Sequence, residues 1–79
     1  MSEAELALAF AAARAAGRTE DLALLFARAA SLQQEPRARA FMLTQAHALG
    51  LEAGLGEARE WHAELVRLGA EKAETPAGS

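Results

Sequence analysis

The apolar side chains recur along the chain at intervals of three and four residues, which predicts helices throughout, in four stretches separated by short polar or glycine-bearing breaks. The first helix begins just after Ser2. Ser2-Glu3-Ala4-Glu5 has the form of a capping box, in which a serine oxygen and a glutamate carboxylate satisfy each other's otherwise orphaned amides. It runs to about Ala16, where Gly17 supplies the left-handed residue that commonly ends a helix. Thr19 is expected to cap the second helix, with Glu20 and Asp21 placed where the helix dipole favours negative charge. So short a link makes the first two helices antiparallel neighbours.

The second helix carries Leu22, Leu25, Phe26, Ala29 and Leu32 as one apolar stripe, with Arg28 and Gln33 off it. Pro36 suits only the first turn of a helix, so Gln33-Gln34-Glu35 is the next connection and the third helix spans Pro36 to Ala53. This helix is apolar almost all the way round and asks for burial on more than one side. Gly50 inside it costs about 1 kcal/mol relative to alanine, which points to a close backbone approach at that position. Gly54 and Gly56 bracket a turn. A fourth helix then runs from about Glu57 to near Gly69, with Ala58, Trp61, Leu65 and Leu68 on one face. The last stretch, Glu71 to Ser79, has no large apolar residue and reads as a disordered tail.

These elements predict an all-α domain over residues 1–70: a four-helix array of two antiparallel hairpins, 3–33 and 36–69. A plain four-helix bundle is the alternative arrangement. Gly17 and Gly54 stand 37 residues apart, and laying them over each other pairs Leu6 with Leu43, Ala9 with Ala46 and Ala13 with Gly50. In the second helices Leu22 then answers Ala58, and Phe26 answers Trp61 or His62. The pattern resembles the tetratricopeptide repeat family over about residues 3–69. It departs from that family at Phe10 and His47, where a small residue is usual, and at Pro36, which falls two residues late. Only two units are present, below the three that repeat stacks usually need.

The resemblance implies a concave groove lined by the first helix of each unit. Ala7, Ala11 and Arg14 would face it from the first unit, and Phe41, Thr44, Ala48 and Leu51 from the second. Members of the family that clamp a peptide's terminal carboxylate do so with lysine and asparagine. Here there is no asparagine and the single lysine, Lys72, stands in the tail. A mostly apolar groove of this kind suits an amphipathic helix as its ligand.

Composition narrows the picture. The hydrophobic fraction is 52%, but much of it is alanine, which favours helix while burying little area. The core is therefore expected to be thin, with Phe10, Phe26, Phe41, Trp61 and the leucines supplying most of its burial. The net charge is −3 and no basic run concentrates cations, Arg28, Arg37 and Arg39 being the nearest approach, so a nucleic-acid partner is not expected. With no cysteine, disulfides and thiolate chemistry are excluded. The acidic N-terminus and the lack of a long apolar run predict a soluble, cytoplasmic protein with no membrane partner.

Candidate chemistry is sparse. His47 and His62 would meet if helices 3 and 4 are antiparallel, and with Glu52, Glu57 or Glu60 they could form a metal or small-molecule site, though no single-helix ligand spacing supports it. No serine or threonine stands in a nucleophile's setting, and Gly54-Leu55-Gly56 follows a helix, unlike a phosphate-binding loop. Trp61 fits the Ala58, Leu65, Leu68 stripe and is expected to anchor the core. The residues therefore predict a non-catalytic module without cofactor or resident metal. It would bind a helix or segment of another protein, or its own copy in a homodimer, through Arg14, Phe41, Met42, Thr44, Ala48 and Leu51, with Arg39 at the rim.

Overall fold

The computed structural model describes residues 2–69, and the expected tail lies outside them. Within this span the chain forms four α-helices: α1 Glu3–Ala16, α2 Thr19–Ser31, α3 Pro36–Ala53 and α4 Glu57–Arg67. The capping box forms as predicted: the Ser2 amide donates to Glu5 Oε1 at 3.1 Å and the Glu5 amide donates to Ser2 Oγ at 3.2 Å. Glu35 caps α3 by accepting from the Arg37 amide at 3.2 Å, ahead of Pro36 in the first turn.

The start of α2 differs from expectation. Thr19 is its first helical residue, Arg18 is the cap, and no side chain bonds the free amides. The cause lies in the preceding turn. Gly17, at φ 67°, reverses the chain so that the Arg18 amide donates back to the Ala13 carbonyl at 2.9 Å, leaving no extended residue between the two helices where Thr19 could act as cap. Arg18 instead faces Asp21, 3.5 Å away in the first turn.

The same closing motif recurs one unit later. Gly54 takes φ 72°, and the Leu55 amide donates to the Gly50 carbonyl at 2.8 Å. The two turns have the same hydrogen bonds and lie 37 residues apart, as the glycines do in sequence. Each turn folds a helix pair into an antiparallel hairpin.

Packing runs along the chain, α1 on α2, α2 on α3 and α3 on α4, with the α2–α3 seam the most extensive. The architecture is thus an all-α assembly of four helices in which each helix packs on the next.

The core is built of smaller side chains than expected. Among the described residues nine hydrophobic side chains are buried, and six are alanines: Ala13, Ala23, Ala29, Ala30, Ala46 and Ala58, joined by Leu6, Leu43 and Leu65. Along α2 the predicted leucine stripe is only half-buried, and Leu32 is 52% exposed. Ala23 and Ala30 are buried instead, because a helix with neighbours on both sides turns its shortest side chains into the closest seam. The burial pattern sets Ala23 against Ala58 and Ala30 against Leu65, one residue off the alignment that places Leu22 over Ala58.

Aromatic residues do not fill the interior. Phe10 and Phe26 meet edge to face with ring centres 4.8 Å apart and tie α1 to α2, both half-buried. Trp61 is half-buried against the Ala30, Leu43 and Leu65 cluster, and Phe41 is 61% exposed. Arg39 is half-buried: it donates to the Gln33 carbonyl at 3.2 Å and faces Glu64 of α4 at 3.8 Å, linking three elements. No helix of the described residues is long and apolar enough to cross a membrane.

Candidate functional site

The two sides of α3 have opposite chemistry. Leu43, Ala46 and Gly50 face the neighbouring helices and are buried. Phe41, Thr44, Ala48 and Leu51 follow each other at steps of three, four and three residues on the opposite side, where all four are exposed. Phe41 and Leu51 remain 61% and 63% exposed. They stand ten residues apart, about 15 Å along the helix axis. The Thr44 hydroxyl donates to the Ala40 carbonyl at 2.8 Å, so the middle of the stripe offers a methyl group and not a free donor.

Charges mark both ends of this face. Arg37 and Glu52 are exposed, in the first turn and near the last residue of α3 respectively. Both run against the helix dipole, which favours acids at the start and bases at the end. Helix stability therefore does not account for their placement.

Arg14 and Met42 lie elsewhere. Met42 follows Phe41 by about 100° around the helix, which turns it toward α1 and α2. There it is half-buried against the core. With Arg14 it borders an open depression of about 390 Å³ whose other lining residues are Ala7, Phe10, Ala11 and Phe26. The six predicted contact residues thus divide into an outward stripe of four and a shallow hollow, between the two hairpins, bordered by two. Ala7 and Ala11 share that hollow with Arg14, whereas Phe41, Thr44, Ala48 and Leu51, expected in the same groove, do not line it.

A second hollow, of about 410 Å³, opens where α3 meets α4 beyond Leu51. His47, Leu51, Leu55, Gly56, Ala58, Arg59 and His62 line it. The two imidazole rings come together as the antiparallel hairpin requires, with centres 5.2 Å apart and planes inclined by 30°. Glu52, Glu57 and Glu60 do not line this hollow, and among the described residues no cluster of three or more metal-ligating side chains forms.

Sequence reasoning missed two further exposed leucines. Leu8 is 72% exposed on the outer side of α1, among Ala4, Ala11 and Ala15, and Leu24 is 40% exposed on α2. The signal for Leu8 was present: α1 has only Glu3, Glu5 and Arg14 as polar residues, yet it has α2 as its principal packing neighbour.

No family model, curated protein or solved structure matches this chain.

Proposed function

We propose that this chain is a non-catalytic protein-interaction module, of the kind found as accessory subunits, adaptors and assembly factors. It binds a helix or extended segment of a partner along the outward stripe of α3. The observation that carries this reading is the pair Phe41 and Leu51, held more than half exposed at the two ends of one helical face with only small side chains between them. Leaving such a face in water forgoes roughly 1.5–3 kcal/mol of burial for each large side chain. An amphipathic helix laid along it would recover that burial. Arg37 and Glu52 would then meet an acid and a base of the partner at either end. The tetratricopeptide-like reading of the two hairpins is favoured by the repeated glycine turns and by the matched burial of Leu6 with Leu43 and of Ala13 with Gly50.

One feature favours a second copy of the chain as the occupant. Turned antiparallel about a two-fold axis near Thr44, α3 sets Phe41 opposite the Ala48 of its copy, a large side chain against a small one. It sets Arg37 opposite Glu52, a base against an acid. The stripe is self-complementary in both size and charge.

Light scattering coupled to size exclusion, over a wide range of concentration, tests both versions. If the occupant is a second copy, wild type is a dimer, Phe41→Glu or Leu51→Glu is a folded monomer, Arg37→Glu alone weakens the dimer, and Arg37→Glu with Glu52→Arg restores it. If the occupant is another protein, wild type is a helical monomer, and the Phe41 and Leu51 substitutions abolish capture of partners that wild type retains. A monomer whose captured partners are indifferent to Phe41→Glu and Leu51→Glu refutes the reading.

A further inference from the structure

The hollow between α3 and α4 has a geometry that the interaction stripe does not require. His47 lies in the middle of α3 and His62 in the middle of α4, on helices that no short-range sequence spacing relates. The Gly54 turn brings them side by side, half-buried, with ring centres 5.2 Å apart. A divalent metal about 2.0–2.1 Å from one nitrogen of each ring lies about 3.2 Å from each ring centre, and two such rings at a tetrahedral angle stand about 5.2 Å apart. The observed spacing of the ring centres meets this distance condition.

We infer that His47 and His62 form a two-histidine chelate for a first-row divalent cation of the zinc, nickel or copper class, bridging α3 and α4. Imidazole nitrogen suits these ions, whereas magnesium and calcium select oxygen donors. Two protein ligands leave coordination positions open, and the hollow of about 410 Å³ over the rings has room for water or a donor atom brought by another molecule. Leu51, Leu55 and Ala58 make its walls largely apolar, while Arg59 at its edge opposes a cation and keeps the affinity below that of a closed structural site. Because the ligands sit on different helices, the ion cross-links the second hairpin. Any ion bound only by the folded state raises its stability.

Zinc titrated into the untagged full chain, followed by calorimetry and by NMR of the imidazole resonances, tests the site. One zinc per chain is expected, with both rings shifting together and the melting temperature rising. His47→Gln and His62→Gln should each weaken binding at least tenfold, and the double variant should bind no more weakly than either single one, since a chelate is lost with its first ligand. Circular dichroism establishes that the variants are folded, and His47→Ala and His62→Ala provide a second pair should a glutamine disturb the seam. Full affinity in either single variant, or additive losses with two zinc ions per chain, would overturn the inference. So would a wild-type chain whose histidine resonances do not respond to zinc.

Discussion

The indole of Trp61 lies against the backbone of Gly50: a methyl group built at position 50 would stand 2.7 Å from Cζ3 of the ring and 3.3 Å from Cβ of Ala58. A glycine in the last turn of an 18-residue helix therefore serves as the seat for the one tryptophan of the chain. Helix propensity alone predicts that Gly50→Ala stabilises the domain by about 1 kcal/mol. Overpacking costs about 1–3 kcal/mol, and the Ala58 side of the contact is fixed by the α4 backbone, so the substitution should destabilise. A melting temperature lowered by several degrees is expected, with changed tryptophan fluorescence, and Trp61→Leu in the same chain should relieve the clash. A rise in melting temperature for the single variant would show that the ring moves aside without loss.

Leu65 and Phe41 make a contrast that separates the core from the outer face. Among the described residues Leu65 is the one large side chain with no exposure at all, and it joins α4 to Leu43 and Ala30. Leu65→Ala should cost about 2–5 kcal/mol, a large share of the stability of so small a domain. Phe41→Ala, although it removes a larger group, should stay within about 0.5 kcal/mol, because Phe41 is 61% exposed. Urea unfolding of the two variants measures both values under the same conditions.

The pH dependence at the N-terminus follows from the capping box. The Ser2 amide, and after it the Ser2 hydroxyl, hold the Glu5 carboxyl below the ordinary value of 4.5. A carboxyl whose folded pKa is depressed adds stability above its unfolded pKa and loses it as pH falls through the folded one. The first turn of α1 should therefore loosen on acidification below about pH 4.5, the unfolded reference. Ser2→Ala removes the hydroxyl, the second of these two causes. The Glu5 titration followed by NMR should move upward in that variant, and an unmoved titration would mean that the amide alone sets the shift.

Much of this fold was legible because its punctuation is written in single residues. Ser2, Gly17, Pro36 and Gly54 each perform a backbone task that few residue types can perform, and the helix ends follow from them. The start of α2 was not legible from Thr19, since the turn ahead of it is governed by where the Arg18 amide points. The make-up of the core was hidden for a different reason. Periodicity ranks positions by how apolar they are, whereas the depth of Ala23 and Ala30 is decided by how close α2 and α3 can come, and small side chains win that contest. Of the surface residues, Phe41, Thr44, Ala48 and Leu51 could be grouped from helical spacing alone. Met42 could not be assigned from apolarity, because a single step along the helix turned it to the other hairpin. The meeting of His47 and His62 was legible only as a condition on the hairpin, which the Gly54 turn satisfies.

The two faces of α3 share no residue. Leu43, Ala46 and Gly50 hold the helix in the array, while Phe41, Thr44, Ala48 and Leu51 take no part in doing so. What the outward face displays can therefore be rewritten, by drift or by design, with little effect on whether the domain folds. The inner ridge has no such latitude. Its methyl groups and its bare glycine leave no room for growth, so the plainest side chains of the helix are the ones least open to replacement.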